Sequence, residues 1–118
     1  MVEVSTEHVD QLFRALGSAP RREILRQTAA QPRSVTQLAE HFDMSLAAVS
    51  KHVQVLAEAG LLSLTREGRV HWCRLQPEAL ETARATLDEL RSFWNKRLDA
   101  LEHLFEAPTT GRRSRRRS

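Results

Sequence analysis

Residues 34–60, SVTQLAEHFDMSLAAVSKHVQVLAEAG, carry two amphipathic helical stripes with only three residues between them, and that short gap constrains the fold more than any other feature. The first stripe is Val35, Leu38, Ala39 and Phe42; the second, Val49, Val53 and Leu56, steps by four and three. Ser34 and Gln37 form a capping-box pattern, the serine as cap and the glutamine reaching back. Ser45 opens the second helix and Gly60 closes it. Asp43-Met44-Ser45 leaves room only for a tight turn between helices, in which Asp43 is expected in a left-handed conformation. Ala39 is small where the helices cross, and Leu38, Phe42 and Met44 supply the local core.

The flanking segments extend this pair into a domain. Leu12, Phe13 and Leu16 form a helical stripe that begins after Thr6 and ends at Gly17. SAPRREILRQTAAQ restarts a helix with Ser18 as N-cap; Pro20 is tolerated in the first turn, where its missing amide has no intrahelical partner. Ile24, Leu25 and Thr28 form its inner face, and Pro32 blocks continuation. After Gly60 come LLSLTR and RVHWCRL, short, branched and aromatic, joined through Glu67-Gly68 as a two- to three-residue hairpin turn. Pro77 then starts a long helix. In it Leu80, Ala83, Leu87, Leu90, Trp94, Leu98, Leu101 and Leu104 recur at threes and fours, a heptad-like seam. At 1.5 Å per residue the seam is about 45 Å long, more than the short helices of one domain cover, so a second copy is expected against it. Phe93 and Trp94 are large anchors of the kind such interfaces use.

The second helix of the pair has an unusual outer face. Ala47, Ser50, Lys51 and Gln54 are small, polar or cationic, and none is acidic. A helix entering a DNA major groove needs a thin face, so that its backbone approaches the base edges, and no carboxylates, which phosphates repel. Ala47 and Ala48 give thinness. Ser45 and Ser50 suit phosphates or base edges, Lys51 a phosphate, Gln54 an adenine or a phosphate, and Leu46 a thymine methyl. Gln37 on the preceding helix and His52 join the candidate contacts, although packing against the preceding helix is the plainer role of His52. Arg66 and Arg69 flank the hairpin tip, where a wing meets phosphate or minor groove; Arg74 reads more simply as a strand arginine. The alternative for the whole helix is a solvated amphipathic face in an all-α core.

Helix, tight turn, helix and basic hairpin is the order of a winged helix-turn-helix. LFRALGSAPRREILRQTA, the stretch from Ser34 to Leu75 and the closing helix resemble the ArsR-type (arsenical-resistance repressor) bacterial regulators over about residues 8–105, most specifically at SLAAVSKHVQVLAEAGLL. The resemblance implies a fold that is mainly α with a small β-hairpin wing. It implies a homodimer joined through its first and last helices and residues after Ser45 in the major groove. The interface candidates are Leu12, Leu16, Leu87, Leu90, Trp94, Leu98 and Leu101. The metal-sensing members' Cys-x-Cys box is missing from SVTQLAEHF, and of the last-helix ligand set only His103 and Glu106 match, so no metal is expected.

Composition bears on the partners. Residues 107–118 hold five arginines and no acid, leaving 13 basic groups against 15 acidic in residues 1–106. The body is therefore not a basic protein, and positive surface must come from local placement. We expect one domain over 1–106 and a disordered basic tail over 107–118. No apolar run approaches the roughly 20 residues of a membrane span and no apolar leader block stands at the start, so a cytoplasmic protein without a membrane partner is expected. The single cysteine, Cys73, excludes an intramolecular disulfide. His71 and Cys73 share a strand face as a fragment of a metal site or thiol switch, but a packed thiol beside an exposed imidazole is simpler. Ser50 and His52, two apart on a helix, are no catalytic pair. No enzyme activity and no cofactor are expected. The expected function is a repressor that binds double-stranded DNA at an inverted repeat as a homodimer, with room for a small-molecule inducer of unknown identity. A metal- or thiol-responsive sensor and a winged-helix protein-interaction module are the alternatives.

Overall fold

The structure, a computed structural model, describes residues 5–105. Helix α1 spans Thr6–Leu16, α2 Ala19–Ala30, α3 Val35–Glu40, α4 Leu46–Glu58 and α5 Pro77–Phe105. Strands β1 (Arg33–Ser34), β2 (Leu62–Glu67) and β3 (Val70–Leu75) form an antiparallel sheet in the order β1-β3-β2. The chain divides into two compact units, Met1–Ala85 and Thr86–Ser118.

Helices α1 to α4 all start at a serine cap. The hydroxyls of Ser5, Ser18, Ser34 and Ser45 accept from the amides of His8, Arg21, Gln37 and Ala48, each satisfying a donor that the first helical turn leaves unpaired. The expected capping box is present: Gln37 N–H donates to Ser34 Oγ and Ser34 N–H donates to Gln37 Oε1, both at 3.0 Å. Gly60, at φ 81°, ends α4 in a Schellman motif. Leu61 N–H donates to Leu56 O at 2.9 Å and Gly60 N–H to Ala57 O at 3.0 Å. Leu56 and Leu61, both fully buried, supply the apolar contact that accompanies this motif. Around them Leu12, Ile24, Leu38, Val49, Val53, Leu62 and Cys73 form one core, with Leu16, Val35, Ala39, Phe42, Met44 and Leu80 packed against it.

Three features around α3 differ from the sequence expectation. Helix α3 stops at Glu40, so five residues rather than three separate it from α4. With that extra length the turn needs no left-handed residue: no described non-glycine residue has positive φ, Asp43 included. The last turn of α3 instead tightens through i→i+3 bonds, His41 N–H to Leu38 O and Phe42 N–H to Ala39 O, at 3.0 and 3.1 Å. The third difference is β1, whose Arg33 and Ser34 pair with Cys73 and Trp72 and add a strand beside the hairpin.

Candidate nucleic-acid interface

Helix α4 is held from beneath by Val49, Val53 and Leu56, all buried, and presents Leu46, Ala47, Ser50, Lys51 and Gln54 as exposed residues. Ala48 is half-buried between the two sets. Ala47, Ala48, Ser50, Lys51 and Gln54 together line a shallow surface depression of about 540 Å³. Within α4 the only acid is Glu58, at the far end; Glu40 and Asp43 are the acids of the preceding segment. The α4 N-terminus thus combines backbone donors, a serine cap and no carboxylate in its first turn, an arrangement suited to an anion.

Two candidate contacts have other commitments. Gln37 is exposed, but the capping box occupies its Oε1, which leaves the amide nitrogen as its outward donor. His52 is turned away from the exposed face, and its partner is on α2 rather than on the preceding helix. Its Nδ1 lies 3.2 Å from Arg21 Nη1. A guanidinium only donates, so Nδ1 accepts and the ring is neutral with its proton on Nε2. Desolvation, and then the Arg21 charge, lower the His52 pKa below the ordinary histidine value. Arg21 also donates from Nε to Ala15 O at 2.7 Å and from Nη2 to Arg14 O at 3.0 Å, and Arg22 donates to Leu16 O at 2.8 Å. These two arginines satisfy the last carbonyls of α1, and Arg21 ties that end to α4. The sequence offered one trace of this, a pair of arginines just past a helix stop; the tie to His52 spans 31 residues and has no local signal.

The hairpin register pairs Glu67 with Val70, so the loop is Gly68-Arg69, one residue later than the expected Glu67-Gly68. Gly68 takes φ 62° at the first central position, where a side chain would be strained, in the pattern of a type II′ hairpin turn. Arg66 and Arg69 are both exposed at this tip. Arg66 Nε donates to Gly68 O at 3.0 Å, a bond that does not use the terminal guanidinium nitrogens. His71, directly opposite Arg66 and also exposed, shares its face of the sheet. Glu67 neighbours Arg66 along the strand and therefore points to the other face. Cys73 is fully buried and its thiol is pushed up to about 11 by that burial, so it carries little thiolate at neutral pH. Among the described residues no three His, Cys, Asp or Glu side chains gather where they could hold a metal ion; Glu106 lies outside the described residues.

The apolar seam of α5 divides in two. Ala83 is buried and Leu80 packs on the core of the first unit. Leu87, Leu90, Phe93, Trp94, Leu98, Leu101, Leu104 and Phe105 are all exposed. Phe93 and Trp94 meet edge to face at 5.3 Å, and the Arg97 guanidinium sits 3.9 Å over the Phe93 ring. Leu12 must be removed from the interface candidates: it is fully buried in the core of its own chain and has no surface to offer a partner. Leu16 is half-buried against the same core.

A helix-turn-helix domain family matches residues 16–65, the span from the end of α1 through most of β2. The chain is 32% identical over 98 residues to the HTH-type transcriptional regulator Rv2034 of Mycobacterium tuberculosis, covering 83% of this chain and 89% of that one. The crystal structure of an ArsR family transcriptional regulator, RHA00566, superimposes with a TM-score of 0.73 at 30% identity, over 80% of this chain and 97% of the other. The chain belongs to the ArsR family of transcriptional regulators. A third relative of this ArsR-family chain is Mb0332 of Mycobacterium bovis, a homodimeric winged helix-turn-helix DNA-binding domain, at 26% identity and a TM-score of 0.57 over 94% of this chain and all of that fragment. The architecture here is the same winged helix-turn-helix: α3 and α4 form the helix pair, and β2 and β3 the wing. No described helix is long and apolar enough to cross a membrane.

Proposed function

We propose that this ArsR-family regulator is a repressor that binds an inverted-repeat operator as a homodimer. The observation that carries the reading is the exposed face of α4: Ala47, Ser50, Lys51 and Gln54, thin and without a carboxylate, above the buried Val49, Val53 and Leu56. Ser45, Leu46 and Ala48 border that face at its N-terminal end, and the Gln37 amide nitrogen stands on the neighbouring helix. Arg66 and Arg69, together at the tip of the wing, contact the phosphate backbone beside the reading helix. Phosphate contacts of this kind position a protein on the duplex, and contacts from the reading helix specify sequence.

The homodimer rests on the exposed α5 seam of Leu87, Leu90, Trp94, Leu98 and Leu101 and on the homodimeric state of Mb0332. Exposed apolar groups at heptad spacing are the sequence and surface signature of a helix that packs on its own copy. A two-fold dimer presents two reading helices to an inverted repeat, with half-site centres about 10–10.5 base pairs apart or a multiple of that.

Selection of bound duplexes from a random pool, followed by footprinting, tests this directly. The expected product is an inverted repeat protected over both halves. Recovery of duplexes with no common sequence, or of a single unrepeated half-site, would contradict the proposal.

A further inference from the structure

The exposed face of α4 has an apolar floor that its polar rim does not account for. Leu46, the first residue of α4, is 53% exposed, whereas Val49, Val53 and Leu56 of the same helix are at most 2% exposed. Beside it the methyl groups of Ala47 and Ala48 form part of the depression that Ser50, Lys51 and Gln54 complete. The major groove offers one apolar group, the 5-methyl of thymine; the other distinguishing edge groups are hydrogen-bond donors or acceptors. The face has no carboxylate to accept from a cytosine amino group. Gln54 lies seven residues beyond Ala47, about 10.5 Å along the axis, or roughly three base-pair steps of about 3.4 Å. The apolar end and the amide therefore address different base pairs.

Resting on the reading of α4 as the groove helix, we infer that Leu46 and Ala47 form a receptor for a thymine methyl group, so that each operator half-site contains a thymine recognised through its methyl. Leu46 and Ala47 are the specificity-determining residues at that position. A leucine side chain at the helix start and an adjacent alanine methyl enclose one methyl group, and the thin alanine keeps the helix close enough for the contact.

The test uses the full-length chain and the operator recovered by selection. Each thymine of both half-sites is replaced singly by deoxyuridine, which removes the methyl group and leaves every hydrogen-bonding atom in place. One symmetry-related pair of positions is expected to lose about fourfold in affinity per half-site, the effect of one buried methyl group, with the other positions changed less than about twofold. In Leu46→Ala and Ala47→Gly proteins, whose folding is checked by thermal melting, the uridine penalty at that pair is expected to shrink. Uniform tolerance of uridine by the unaltered protein overturns the inference and leaves DNA reading by α4 standing. An undiminished penalty in both variants also overturns it, because the methyl is then held elsewhere. Failure to recover any operator removes the DNA-reading proposal itself, and this inference with it.

Discussion

On the proposed reading face Ala47 is exposed, small and uncharged, which makes it the sharpest single-residue test of that reading. In Ala47→Glu a carboxylate meets the phosphates and base edges. We expect specific affinity to fall by about a hundredfold or more, since like-charge contacts at an interface cost several kcal/mol. The exposed second position of a helix favours glutamate through the helix dipole, so thermal stability should hold. A normal melt with undiminished operator affinity would mean this face does not enter the groove. His52 calls for a different measurement. Its pKa is lowered in the folded chain by desolvation and by Arg21, so the unfolded chain binds more protons as pH falls. Stability should therefore be highest above about pH 6.5, the ordinary histidine value, and should decline below it as pH approaches the lower folded value. In His52→Asn an amide oxygen can accept from Arg21 without titrating. Denaturant titrations should show a flatter dependence for this variant over the window below about pH 6.5; identical slopes would show that His52 does not contribute to it. Periodicity revealed that Leu12 and His52 belonged to helices, and even their spacing, but not their partners. Leu12 lies on a stripe that serves either the chain's own core or a second copy, and the core claims it. The partner of His52 lies 31 residues away.

At the scale of elements, legibility followed how local the causes were. Each of the four serine caps and the Gly60 stop rests on bonds between residues at most five apart; Ser18, Ser34, Ser45 and Gly60 are visible as residue types in their required places, whereas the first helix, expected to begin after Thr6, is capped by Ser5. Strand β1 is not legible, because two residues carry no alternation to read and their partners, Cys73 and Trp72, lie far along the chain. The α3–α4 turn is two residues longer than its sequence indicates, because helix ends tighten into i→i+3 geometry without a compositional mark. The hairpin was legible from Gly68, and its register places Arg66 and Arg69 at the tip. If these arginines touch only backbone, Arg66→Ala and Arg69→Ala should weaken binding to all duplexes alike. Each should also lower the magnitude of the slope of log affinity against log salt by about 0.9 per lost phosphate contact. A change in preference at one base position, measured by repeating the selection with either variant, would instead make that arginine a base reader.

At the scale of the whole molecule, the proposed homodimer makes its demands on α5. The long helix α5 was legible from Pro77 and its threes and fours, yet the same spacing serves two purposes. Leu80 and Ala83 belong to the core of the first unit, and from Leu87 onward the apolar residues are exposed. A seam of leucines interrupted by the Phe93–Trp94 pair has no reason to remain in water if a second copy is present to cover it. Trp94 is 53% exposed in the single chain, so its replacement by aspartate removes little from that chain's own packing. In a dimer the new carboxylate is buried without a partner, at a cost of about several kcal/mol. We therefore expect Trp94→Asp, or Trp94→Asp with Leu98→Asp, to sediment as a monomer and to bind a single half-site weakly. Residues 107–118 lie outside the described residues, and their five arginines suggest a different role. Deleting the chain after Ala107 should leave the dimer intact and reduce mainly nonspecific, salt-sensitive affinity. Sedimentation of the two proteins side by side separates the roles. A Trp94→Asp/Leu98→Asp protein that is still a dimer places the interface away from this seam. A tail-deleted monomer assigns the assembly to the arginines, because charge-rich segments without apolar groups have no other means of holding two copies together than pairing with acids on the partner, and that pairing would also dissolve with added salt.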